Sequence, residues 1–214
     1  MWRGLGCLWL VALSSGCSRS RERASSPPPG VASPRPAPPC APPARCTVIG
    51  KRLMEQPTTP ELDVQAFIWF EAACEGGDAE GCAMLALAYK YGRGTAEDLP
   101  RSHELYAKSC SAGHAPGCFN QGLMEKVGLG TPQSWTAAEA SYQKACDGHF
   151  GMACRELAKA HQTGEGLPKD LPLAAQYLKA ACASKDEYPL PGELSCEELR
   201  TLCKTIQAPA CTSP

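Results

Sequence analysis

Several side chains in this sequence are of types and spacings that could do chemistry, and the cysteines come first. Cys74, Cys110, Cys146 and Cys182 recur every 36 residues, and so do Cys46, Cys82, Cys118 and Cys154. The two series run eight positions apart, Cys74 with Cys82, Cys110 with Cys118 and Cys146 with Cys154. A fixed period of this length marks stacked repeats, and a cysteine pair locked to it suggests units clamped covalently to their neighbours. Paired thiols also hold metals, but structural zinc sites separate paired ligands by about two to four residues. Haem attachment needs Cys-x-x-Cys-His, which does not occur. The sequence therefore calls for no metal and no cofactor.

A second candidate is Ser141-Tyr142-Gln143-Lys144. Ser-x-x-Lys puts a nucleophile and a lysine one helical turn apart in serine β-lactamases. The companion Ser-Asp-Asn and Lys-Thr-Gly motifs are absent, and Lys144 holds the same repeat position as Lys108. The repeat thus accounts for Lys144, and no catalytic residue is assigned. His103 and His161 stand where other units carry unrelated residues, while His114 and His149 fall near turns between helices, so all four read as surface or interfacial. Asp98 and Asp170 share a place just before Leu-Pro, which makes them helix caps rather than an acid pair.

The elements that must position these residues are helices. Cys82, Leu85, Ala86 and Tyr89 fall at i, i+3, i+4 and i+7, one helical face. Gly92 and Gly94 then supply positions that tolerate left-handed backbone and stop the helix. A second helix begins after Asp98, carries Ser102, Leu105, Tyr106 and Cys110 on one face, and ends at Ala112-Gly113. Each unit is therefore a helical hairpin, and hairpins of this length bury their faces by stacking. The fourth unit keeps the pattern through Leu157, Gly164, Gly166, Asp170 and Tyr177. In the third, Gln121 and Glu125 replace apolar residues, which reads as drift at a surface position or a locally polar face. The first unit replaces its turn glycines with Gln56 and Thr58, and the fifth is displaced to Cys196 by an insertion at 187–192.

Composition bounds the setting. The chain has 214 residues, a net charge of −1 and 20% charged residues, so no global field points to nucleic acid. Arg3 followed by the mostly apolar stretch from Gly4 to Leu13 reads as a secretory signal, too short to span a bilayer. Leu13-Ser14-Ser15-Gly16-Cys17 resembles the lipobox of bacterial lipoproteins, with Ser14 as the departure. That resemblance implies cleavage before Cys17 and lipid on its thiol, and Ser18 implies the outer membrane. Residues 17–42 form a tether with eight prolines from Pro27 to Pro42, extended at about 3.1 Å per residue where polyproline. Of 14 cysteines, Cys7 leaves with the signal and Cys17 is acylated, so 12 remain, enough for six bridges in an oxidising compartment.

The glycine pairs, the aromatic positions and the lysine near the end of the second helix carry a family resemblance. Tyr89, Gly92, Gly94, Asp98, Tyr106 and Lys108, then Gly128, Gly130, Tyr142, Lys144 and Ala145, resemble the SEL-one-like repeat, a relative of the tetratricopeptide repeat. The added cysteine pairs resemble the cysteine-rich subfamily described for Helicobacter secreted proteins. That resemblance implies bridges between the second helix of one hairpin and the first of the next: Cys74–Cys82, Cys110–Cys118, Cys146–Cys154 and Cys182–Cys196. Cys40–Cys46 and Cys203–Cys211 then close the ends. Some members have been described as penicillin-binding or as weak β-lactamases, which supplies the alternative reading of a β-lactamase-like hydrolase.

The expected architecture is an all-α, α/α solenoid of four to five 36-residue hairpins clamped by disulfides. Its expected divisions are a signal peptide at 1–16, the tether at 17–42, the solenoid at 43–205 and a tail at 206–214. The expected role is a non-catalytic scaffold in the cell envelope, exported to the periplasm or cell surface and held to the membrane by lipid. It would bind a protein, peptide or peptidoglycan-type ligand.

Overall fold

The computed structural model describes residues 41–56, 59–184, 191–206 and 211. The signal sequence, Cys17, Cys40 and almost all of the proline-rich tether lie outside them. The described residues form helices without strands: α1 (Ala44–Met54), α2 (Pro60–Glu75), α3 (Ala79–Tyr91), α4 (Leu99–Ser111), α5 (Ala115–Val127), α6 (Trp135–Asp147), α7 (Gly151–Thr163), α8 (Leu171–Ala183) and α9 (Pro191–Cys203). Each odd-numbered helix from α1 to α7 packs most closely on the even-numbered helix after it, and each hairpin then packs on the next. The result is an all-α solenoid of stacked hairpins.

Local chemistry sets the boundaries. The side chains of Asp98, Ser134 and Asp170 accept hydrogen bonds from the amides of Arg101 (2.9 Å), Ala137 (3.2 Å) and Leu173 (2.9 Å), capping α4, α6 and α8. The first helices of three units end at Gly92, Gly128 and Gly164, all with positive φ. The core is built from small residues that let helices approach: Ala73, Ala86, Ala138, Ala145, Ala158 and Ala174 are fully buried. Phe70, Tyr106, Leu157 and Leu178 fill the spaces between them.

The second turn glycine has another job. A Cβ on Gly94 would lie 2.2 Å from the carbonyl oxygen of Asp63, and one on Gly130 would lie 2.3 Å from that of Leu99. One on Gly166 would enter the Trp135 ring. Asp63, Leu99 and Trp135 are themselves 36 residues apart, so the same glycine seats each hairpin against the start of the preceding second helix. Arg93 reinforces the first of these contacts, its Nη2 lying 2.7 Å from Asp63 Oδ1.

Candidate functional site

Five disulfides are formed among the described residues. Cys74–Cys82, Cys110–Cys118 and Cys146–Cys154 join α2 to α3, α4 to α5 and α6 to α7, with Cα separations of 4.4, 4.4 and 4.8 Å. Cys182–Cys196 joins α8 to α9, and Cys203–Cys211 closes the C-terminal end. Cys46 is also oxidised, and its expected partner Cys40 lies outside the described residues. Each of the first four bridges spans two hairpins, so these cysteines hold the stack together, and none of the described cysteines is a free thiol.

Among the described residues, the third unit holds a buried polar cluster. Glu125, only 6% exposed, accepts hydrogen bonds from Ser141 Oγ at 2.7 Å, Gln121 Nε2 at 2.8 Å and His103 Nε2 at 3.1 Å. Its carboxylate thereby ties α4, α5 and α6 together. Gln121 and Glu125 are not drift at a surface: the position of Glu125 is buried, and both join one internal network. The order of groups matters for chemistry. A nucleophilic triad places histidine between serine and acid, whereas here the carboxylate stands between Ser141 and His103. The serine proton is committed to Glu125, while Lys144 is exposed. Lys108, at the repeat position of Lys144, donates from Nζ to the Cys74 carbonyl at 3.0 Å and so satisfies the end of α2. The geometry therefore assigns Ser141 and Lys108 structural work.

The histidines divide. His103 serves the Glu125 network. His114 Nδ1 lies 3.1 Å from Ser109 Oγ, whose own proton goes to the Ala79 carbonyl at 2.7 Å, so the ring is the donor. Burial lowers the pKa of His114, while the carboxylates of Glu80 and Asp78 work the other way. His149 is exposed and adopts a positive φ of 63° where the other units have Gly77 and Gly113. His161 is the interfacial one, 4% exposed between helices. Its Nδ1 lies 2.9 Å from the Pro168 carbonyl, and its ring stacks on Tyr177 at 5.8 Å between centroids.

One signal could have exposed the network in advance. Gln121, Glu125 and Ser141 occupy the positions of Leu85, Tyr89 and Leu105 one period earlier, all buried and apolar. Three polar residues at three core positions of one unit must find one another or remain unsatisfied. Among the described residues no group of three or more histidine, cysteine, aspartate or glutamate side chains is placed to hold a metal ion, and no helix is long and apolar enough to cross a membrane.

Comparison with known proteins follows the same lines. The Sel1 repeat family matches residues 57–78, 79–114 and 151–186. The last two spans flank the unit that carries the Glu125 network. No curated protein matches the chain. A Sel1 repeat protein from Oxalobacter formigenes is similar in structure, with 22% identity and a TM-score of 0.66 over 78% of this chain and 66% of that one. A protective antigen of uropathogenic Escherichia coli with an SLR fold gives 23% identity and a TM-score of 0.67 over 78% of this chain and 35% of that one. This chain thus spans just under two thirds of the first and about a third of the second, and at such identities the likeness concerns the fold. Helicobacter pylori cysteine rich protein B is also similar, with 23% identity and a TM-score of 0.44 over 52% of this chain and 86% of that one. Residues 57–78, 79–114 and 151–186 thus carry Sel1 repeats, set within a solenoid of stacked helical hairpins.

Proposed function

We propose that this protein is a non-catalytic binding scaffold of the bacterial cell envelope, exported and anchored through lipid on Cys17. Its solenoid begins near residue 43, beyond a proline-rich tether, and takes a protein, peptide or peptidoglycan-type ligand. The observation that carries the binding role is a repeated exposed apolar position. Tyr91 and Val127, one period apart at the ends of α3 and α5, are 60% and 55% exposed. A stack that offers a large apolar side chain to solvent at the same place in successive units has the surface expected of an interaction face. The five bridges support an oxidising compartment.

The test is affinity capture from envelope extract by the oxidised chain, beside a reduced and alkylated control and a Tyr91→Ser/Val127→Ser variant. A partner held by the oxidised chain and lost by the variant supports the reading. Capture indifferent to both changes, or no selective partner, sinks it.

A further inference from the structure

Between α2 and α4, over α3, lies a cleft of about 140 Å³ whose floor is apolar: Leu85, Tyr89 and Leu105. Its rim carries three carboxylates, Glu71, Glu75 and Glu104, against two cations, Arg101 and Lys108. Arg101 pairs with Glu104 at 2.8 Å, and Lys108 is held on the Cys74 carbonyl at 3.0 Å. The lining is therefore one positive charge short, and the deficit falls at Glu71 and Glu75.

Two local rules are broken there together. Glu71 and Glu75 are four residues apart on one helix, a spacing at which like charges repel. They also close α2, in whose last turn there is no basic residue, so both face the negative end of the helix dipole. Burial and the Glu75 charge raise the Glu71 pKa, with Arg101 opposing. Departures of this kind, only partly offset by Arg101, tend to mark functional positions.

We propose that the cleft receives one basic side chain, lysine or arginine, of a partner polypeptide. Its aliphatic stem would lie on Leu85, Tyr89 and Leu105 and its charged head between Glu71 and Glu75. A long apolar stem ending in a cation suits a narrow apolar floor with an acidic mouth. The proposal rests on the scaffold reading and names the chemistry that one part of the scaffold recognises.

The test is NMR titration of the oxidised full chain with Nα-acetyl-lysine methylamide, Nα-acetyl-arginine methylamide and Nα-acetyl-norleucine methylamide. Saturable shifts at the Leu85, Tyr89 and Leu105 amides with either basic probe, weakened at least fivefold in Glu71→Gln/Glu75→Gln, are expected. The variant relieves a repulsion on an exposed helix face, so its melting temperature should equal or exceed that of the native chain. This separates loss of binding from loss of fold. Absence of saturable shifts, an equal response to norleucine, or undiminished binding by the variant overturns the proposal. A captured envelope partner that binds the Gln variant as well as the native chain would leave the scaffold reading standing and remove the cleft from it.

Discussion

Glu125→Ala removes the one acceptor shared by α4, α5 and α6. Of its three donors, Ser141 is buried, and an unpaired buried hydroxyl costs about 1–3 kcal/mol. Gln121 and His103 are only partly buried and can turn to water, so each forfeits about 0.5 kcal/mol, the low end for a net hydrogen bond. A total near 3 kcal/mol follows, which for a chain of this size lowers the melting temperature by about 6–12 °C. The counterpart is Gln121→Leu/Glu125→Tyr/Ser141→Leu, which writes the residues of the preceding unit into the third. Replacing a buried polar set by apolar groups that fit is often neutral or stabilising, so this triple variant should return to within about 1 kcal/mol of native. Thermal and urea melts of the oxidised proteins decide the matter. A loss below about 1 kcal/mol for Glu125→Ala, or a triple variant no more stable than the single one, would refute the buried-network account.

Four further outcomes are expected. Gly130→Ala puts a methyl group against the Leu99 carbonyl in left-handed backbone, so it should destabilise by more than about 2 kcal/mol in urea melts, the upper end of the left-handed term alone. His149→Gly relieves positive φ at an exposed site and should raise stability by about 1 kcal/mol; a neutral or destabilising result refutes the strain. Because the His114 pKa is lowered in the fold, the unfolded chain takes up more protons as pH falls below about 6.5, and stability falls with it. Melts between pH 7 and pH 5 should be flatter for His114→Asn. Finally, non-reducing peptide mapping should recover Cys74–Cys82, Cys110–Cys118 and Cys146–Cys154, and reduction should lower the melt steeply, since each short loop contributes about 2.5 kcal/mol by chain entropy.

Much of the helical frame is legible in the residues alone. The apolar spacing around Leu85 and Leu105, the aspartates before Leu-Pro and the first turn glycines each act within a few residues of themselves, so local physics states them. The second turn glycine is legible as a glycine but not as a seat, because the atoms it must avoid, at Asp63 and Leu99, lie some thirty positions back. The Glu125 network was hidden for the same reason. Its members are legible one by one as departures, yet their meeting depends on how α4 and α6 flank α5. The Glu71–Glu75 cleft is less legible still, since only the packed fold brings α2 and α4 together around Leu85, Tyr89 and Leu105.

The placement of the bridges has a consequence for how such a chain can change length. Each bridge between hairpins takes its sulfurs from two successive units, so one internal 36-residue period carries half of the bridge before it and half of the bridge after it. Deleting residues 79–114 would remove Cys82 and Cys110 together. It would leave Cys74 and Cys118 eight positions apart, on a second helix and the first helix that now follows it. No thiol is orphaned and no register is lost. Gain or loss of whole periods is thus redox-neutral, and unequal recombination between repeats can lengthen or shorten this solenoid in single steps without passing through a mispaired intermediate.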